Sequence, residues 1–144
     1  MPEWRNPPFE KTRRHNMKSP QTELVPVTNS AIARASQRLR EGALVVFPTE
    51  TVYGLGADAS NTYAVANIFE AKGRPSFNPS IVHVSDITTA KRYAEWNAQA
   101  ENLAQAFWPG PLTLVLPRLA AASLSSLVIA GAATVAIRVP AHPV

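Results

Sequence analysis

Beyond residue 22 the apolar positions of this chain change period several times, and each change marks an element. Ile32, Ala35 and Leu39 recur at helical spacing behind Asn29 or Ser30, either of which can cap, and Gly42 supplies the stop. Residues 43–47 form a continuous apolar run, the pattern of a strand buried on both faces, and Pro48 ends it. Val65, Ile68 and Phe69 line one side of a second helix, capped by Ser60 or Asn61 and closed by Gly73. Residues 80–84 predict a second strand. Two helical segments follow, 87–96 and 98–107, the second turning Leu103 and Phe107 inward. Pro109 and Pro111 end them, because neither can donate to a helix ladder. Residues 112–116 and 134–139 predict a third and a fourth strand, and the alanine- and serine-rich stretch 118–133 yields no assignment. Strands and helices interleave without an internal repeat, so the class is α/β or α+β, with strand-end loops as the natural place for a site.

Composition narrows the chemistry. A chain of 144 residues fits one globular domain, and 46% hydrophobic with 17% charged residues excludes a wholly disordered one. No apolar run approaches the roughly 20 residues of a membrane span, so a soluble protein is expected. The absence of cysteine removes disulfides, zinc–thiolate sites, iron–sulfur clusters and thiol nucleophiles together. Three histidines (His15, His83, His142) give little support for a protein-only zinc site, and no metal ligands are assigned.

The net charge of +4 is unevenly spread. Residues 1–22 hold five basic and two acidic groups, whereas residues 23–144 hold nine basic and eight acidic ones. The first segment also carries four prolines and no apolar periodicity. It reads as a disordered basic extension, residues 1–22, ahead of one domain, residues 23–144. It lacks the apolar core of a secretory signal. An idle extension, or an upstream start with Met17 as working initiator, is the plain account. An arm touching RNA phosphates is the sharper one.

Four places carry candidate chemistry. Pro48-Thr-Glu-Thr-Val-Tyr-Gly-Leu-Gly56 follows a strand, so its hydroxyls and carboxylate sit at a sheet edge, and Gly54 and Gly56 admit a ligand close to backbone. It starts too far past the strand for a dinucleotide fingerprint, and no Walker pattern occurs. An ordinary glycine turn remains open. Lys72-Gly-Arg-Pro-Ser-Phe-Asn-Pro79 puts an ammonium and a guanidinium on one side of extended backbone, a pairing suited to polyphosphate, with Asn78 held between Phe77 and Pro79. A solvated pair complementing a helix dipole is the bland alternative. His83 alternates with apolar neighbours, and a structural role is the commoner one for such a histidine. Thr134 and Arg138 share one face of the last strand, where the arginine requires an anion, either an acidic partner or a ligand carboxylate. Trp108-Pro-Gly-Pro111 reads as a rigid packing corner without chemistry.

Taken in order, these segments resemble the YrdC family, the threonylcarbamoyl-AMP synthases. The resemblance runs from about Thr28 to Val144 and rests on Pro48-Thr-Glu-Thr-Val-Tyr-Gly-Leu-Gly56, Lys72-Gly-Arg-Pro with Asn78-Pro79, Trp108-Pro-Gly-Pro-Leu-Thr113, and Val135-Ala-Ile-Arg-Val-Pro with His142-Pro143. It implies a twisted, open mixed sheet flanked by helices. The implied activity is a nucleotidyl transfer that makes L-threonylcarbamoyl-adenylate and pyrophosphate from L-threonine, bicarbonate and ATP, with Mg²⁺ on the phosphates. The product serves modification of tRNA adenosine beside the anticodon. By motif, Thr51, His83 and Arg138 would hold L-threonine, and Lys72, Arg74, Asn78 and Thr134 would hold ATP. Lys72 and Arg74 would stabilise charge on the phosphates as the catalytic pair. The resemblance also implies contact with tRNA or double-stranded RNA, other proteins of tRNA threonylcarbamoylation as partners, and a cytoplasmic location.

Ser80 departs from the apolar residue usual after Asn-Pro in this family. The family also continues with a helix and an Ala-Pro-Ser-Ala-Asn segment beyond the point matching Val144. On that ground the fold is expected to be incomplete at its C-terminus and turnover by these 144 residues to be low. A binding module for nucleotide or RNA without catalysis, or a non-functional fragment, is the alternative reading.

Overall fold

The structure, a computed structural model, describes residues 22–73 and 78–144. Apart from Thr22, the basic extension read over residues 1–22 lies outside the described residues.

Helix α1 (Asn29–Arg40) is capped by Thr28, one residue earlier than expected: Thr28 is extended and its Oγ1 accepts from Ala31 N at 3.1 Å. Strands β1 (Val45–Phe47) and β2 (Gly54–Gly56) pair antiparallel in a separate two-stranded ribbon. The expectation of a strand buried on both faces fails here, since Val46 is 60% exposed. α1 packs against β1, and β2 is the strand that pairs with it. Helix α2 (Thr62–Lys72) begins at Asn61, whose Oδ1 accepts from Tyr63 N and Ala64 N, and ends at Gly73 with φ of 57°. That left-handed turn is one that glycine adopts without strain.

The main sheet joins β3 (Ile81–His83), β4 (Leu114–Pro117) and β5 (Thr134–Arg138) in the order β3-β5-β4. β5 runs parallel to β3 and antiparallel to β4, so the sheet is mixed, and the architecture is α+β as expected. Register aligns Val82, Ile137 and Leu114 across the three strands. All three are buried and join Val65, Phe69, Val128, Val135 and Trp108 in one core. The pleat sends their neighbours to the other face. There Ile81 and Val115 flank Ala136, 44% and 63% exposed.

The helical reading of residues 87–96 is only partly right. Helix α3 (Ile87–Ala90), capped by Asp86, is a single turn. Residues 93–95 instead run beside the end of β4: Glu95 N donates to Pro117 O, Leu119 N donates to Tyr93 O, and Ala94 bridges Arg118. Ala90 and Ala94 are both buried at helical spacing, which explains why the pattern mimicked a longer helix. Helix α4 (Ala98–Phe107) turns Ala100 and Ala104 into the core, with Leu103 half-buried against it. Phe107 is 56% exposed, contrary to expectation, because Trp108 fills the core position at the end of this helix. The unassigned stretch 118–133 contains α5 (Ser126–Ile129), which packs on α2 and β5. Among the described residues no helix is long and apolar enough to cross a membrane.

The two faces of the sheet predict unequal sensitivity. Ile137→Ala should lower stability by about 2–5 kcal/mol through a cavity at a fully buried site. Val115→Ala, on the open face, should change it by no more than about 0.5 kcal/mol. Urea unfolding of both variants checks this, and equal losses would mean that both faces are packed.

Candidate functional site

Because Ile137 points into the core, the pleat turns Arg138 to the opposite face at the end of β5. The residue is nevertheless only 7% exposed, and a buried guanidinium needs acceptors. Three residues in two segments supply them. Gly110 O accepts from Nε at 3.1 Å, Thr51 Oγ1 accepts from Nη2 at 3.3 Å, and Glu50 Oε1 lies 2.6 Å from Nη2 as an ion pair. Of the two anions open to Arg138 on sequence grounds, the protein itself provides the acidic partner.

Each supplier is fixed by its own local structure. Thr49, just after Pro48, donates through Oγ1 to Val52 O and accepts from Thr51 N and Val52 N. This hydroxyl-centred turn presents Glu50 and Thr51 from the end of the ribbon. The corner after α4 is pinned by Trp108 Nε1 donating to Leu112 O at 2.7 Å and by Gly110 N donating to Val139 O at 2.8 Å. A Cβ at Gly110 would collide with the Phe107 carbonyl oxygen. The corner therefore does more than pack: its carbonyl orients Arg138.

The parallel register places His83 directly beside Arg138. His83 Nδ1 lies 3.2 Å from Ile81 O. A carbonyl only accepts, so the neutral ring carries its proton on Nδ1 and leaves Nε2 as an acceptor. The Phe47 ring meets the imidazole edge-on, with centroids 6.2 Å apart. Partial burial of the ring, reinforced by the Arg138 cation, pushes the His83 pKa below its ordinary value against the pull of the Ile81 carbonyl and Glu50. The hydrogen bond from Arg138 holds the Glu50 carboxyl below the usual carboxylate range, helped by backbone N–H groups of Glu50 and Ala141 and opposed by desolvation. Glu50 is the residue that sequence reasoning left without a role. The signal was present: a strand arginine in want of an anion, and one carboxylate in the neighbouring motif.

Thr51, His83 and Arg138 thus come together. Thr134 lies at the far end of β5, exposed and opposite Pro117, about 13 Å along the strand from Arg138 at about 3.3 Å per residue. Lys72 is exposed in the last turn of α2, and Asn78 is exposed shortly before β3. Arg74 lies outside the described residues. Among the described residues no group of three His, Asp or Glu side chains is placed to hold a metal ion. Chemically, the assembled cluster offers a guanidinium for a carboxylate, with the Thr51 hydroxyl and a histidine acceptor at hand for hydroxyl or amino groups.

A family model described as "Telomere recombination", for Sua5, YciO and YrdC, matches residues 37–144. Threonylcarbamoyl-AMP synthase of Bacillus subtilis is 52% identical over 123 residues, covering 85% of this chain and 35% of that protein. The enzyme of the same name from Pyrococcus abyssi is 52% identical over 107 residues, covering 74% of this chain and 31% of its own. The crystal structure of P. abyssi Sua5 complexed with L-threonine superposes with a TM-score of 0.76 at 49% identity, over 82% of this chain and 34% of that one. Escherichia coli YciO, at 22% identity and a TM-score of 0.71, shares the fold over 81% of this chain and 56% of its own. The chain spans about a third of the length of these two synthases, 35% and 31%.

The depressed pKa values set the acid side of the stability profile. A group that binds its proton less readily in the folded state stabilises above its unfolded value and loses that contribution as pH falls through the folded one. Stability should accordingly begin to fall below about pH 6.5 as His83 is forced to protonate, and again below about pH 4.3 as Glu50 does. An NMR titration should place the His83 midpoint below about 6.5; a midpoint at or above that value would contradict the packing described.

Proposed function

The chain belongs to the Sua5–YciO–YrdC family, and we propose that it carries the L-threonine- and ATP-handling part of a threonylcarbamoyl-AMP synthase. The observation that carries this reading is the convergence of Arg138, Thr51 and His83 on one strand end. In this assignment Arg138 takes the threonine carboxylate, while Thr51 and His83 face its polar groups. The L-threonine bound to the P. abyssi relative supports the assignment.

ATP would enter as its Mg²⁺ complex, held by Lys72, Arg74, Asn78 and Thr134. Mg²⁺ usually keeps phosphate oxygens and waters rather than an all-protein cage, so it belongs here to the substrate. The threonine amine forms an N–C bond to bicarbonate as a C–O bond breaks and water leaves, and an oxygen of the resulting carbamate attacks the α-phosphorus. The new P–O bond forms as the bond to the β-phosphate oxygen breaks, and pyrophosphate leaves. All partners are anionic, so catalysis consists of positioning and charge neutralisation, the task of Lys72 and Arg74. The adenylate would pass to enzymes that modify tRNA, in the cytoplasm. The nearly neutral charge of residues 23–144 argues for a small share of RNA affinity from this domain.

Isothermal titration should show L-threonine binding that ATP alters, and ATP should yield pyrophosphate only with threonine and bicarbonate present. A folded chain giving no heat with either ligand would sink the proposal. Arg138→Ala should weaken threonine by more than about tenfold, since truncating one member of a buried charged pair costs about 2–5 kcal/mol. Arg74→Ala should weaken ATP far more than threonine. Equal losses of both ligands in both variants would mean the roles are misassigned.

A further inference from the structure

We propose that Glu50 is a positioning residue that clamps the Arg138 guanidinium and leaves its Nη1 edge to receive an incoming carboxylate. The proposal rests on the reading of the site given above, though the clamp itself is a property of the protein alone.

A guanidinium has five N–H groups in a fixed plane. Three are used internally: Nε on Gly110 O, and Nη2 on Glu50 Oε1 and Thr51 Oγ1. The Nη1 pair has no hydrogen-bond partner among the described residues. It is not sealed in the interior either, because the only buried, unpartnered side-chain nitrogen or oxygen among the described residues is Arg118 Nε. The donor left to a ligand is therefore Nη1. The side-on grip through Nε and Nη2 is already taken by protein, so a ligand carboxylate meets Arg138 at one edge and in one orientation.

Glu50 is suited to fix that orientation. Its side chain is 20% exposed and that of Arg138 is 9% exposed, so the guanidinium is largely shielded from water and the carboxylate only partly. Backbone N–H groups of Glu50 and Ala141 also favour its charged form. Thr51 follows directly in the same turn, so the residue that aims the guanidinium also places the hydroxyl beside it. Glu50 further offsets the charge of Arg138. A bare anion is then drawn weakly, and a ligand must add contacts to Thr51 and His83 to bind. This is selectivity built from a neutralised arginine.

The test compares the wild-type chain with Glu50→Gln and uses L-threonine and inorganic phosphate as probes. Nitrogen-15 NMR of Arg138 should show separate Nη1 and Nη2 signals in the wild type, because the clamp slows the rotation about the Nε–Cζ bond that exchanges them. In Glu50→Gln those signals should merge, threonine affinity should fall about tenfold, and phosphate affinity should rise. Separate signals in the variant, merged signals in the wild type, or unchanged threonine affinity in a folded variant would overturn the proposal. Should Glu50→Gln not fold, Glu50→Asp, which keeps the charge but shortens the reach, should still merge the signals and weaken threonine while leaving phosphate affinity unchanged, and separate signals or unchanged threonine affinity would overturn the proposal. If the wild type binds no threonine, the proposed function falls, and the guanidinium signals still decide whether Glu50 is the clamp.

Discussion

A guanidinium buried at a strand end governs the arrangement of the site. Arg138 cannot remain 7% exposed unless acceptors surround it, and they come from the turn after β1 and the corner after α4. These segments are remote in sequence, Thr51 lying 87 positions and Gly110 28 positions away. Placing Arg138 thus fixes the two-stranded ribbon and the Trp108 corner relative to the main sheet. A buried ion pair is weak grounds for stability, since apolar replacements often do as well. Its position beside exposed Thr51 and His83 gives it a different use, the orientation of donors toward solvent.

Strand parity separates that use from the core. Val82, Ile137 and Leu114 share the packed face, and stepping by one residue on β3 and β5 reaches His83 and Arg138 on the other. A one-residue slip would exchange core and site completely. The fully buried Ile137 is what forbids the slip, so its packing indirectly sets where Arg138 lies.

Much of this was readable in the chain because local signals agreed with the final packing. Asn61 and Gly73 bound α2 as expected, α4 spans the expected residues 98–107, and β5 takes up residues 134–138 of the expected last strand, leaving only Val139 beyond it. The failures come from tertiary packing and pairing that local pattern does not contain. Residues 93–95 left the helix because the end of β4 offered their backbone partners. Phe107 stayed out because Trp108 took the core position. Glu50 stood in a recognised motif, but its role depends on an arginine 88 positions away, and only the fold brings the two together.

The two halves of the proposed site are built on different principles. The carboxylate end is organised by register and buried hydrogen bonds, so little conformational entropy is lost when a ligand arrives. Lys72 stands at the exposed end of α2, where a cation complements the helix dipole and keeps its rotamer freedom until an anion engages it. An ammonium on a flexible stem tolerates a polyphosphate moving from reactant to product, whereas a clamped guanidinium does not tolerate a shifted carboxylate. Under the proposed function, threonine identity would be read at the rigid end, and the moving charge of the phosphates would be met at the adaptable one.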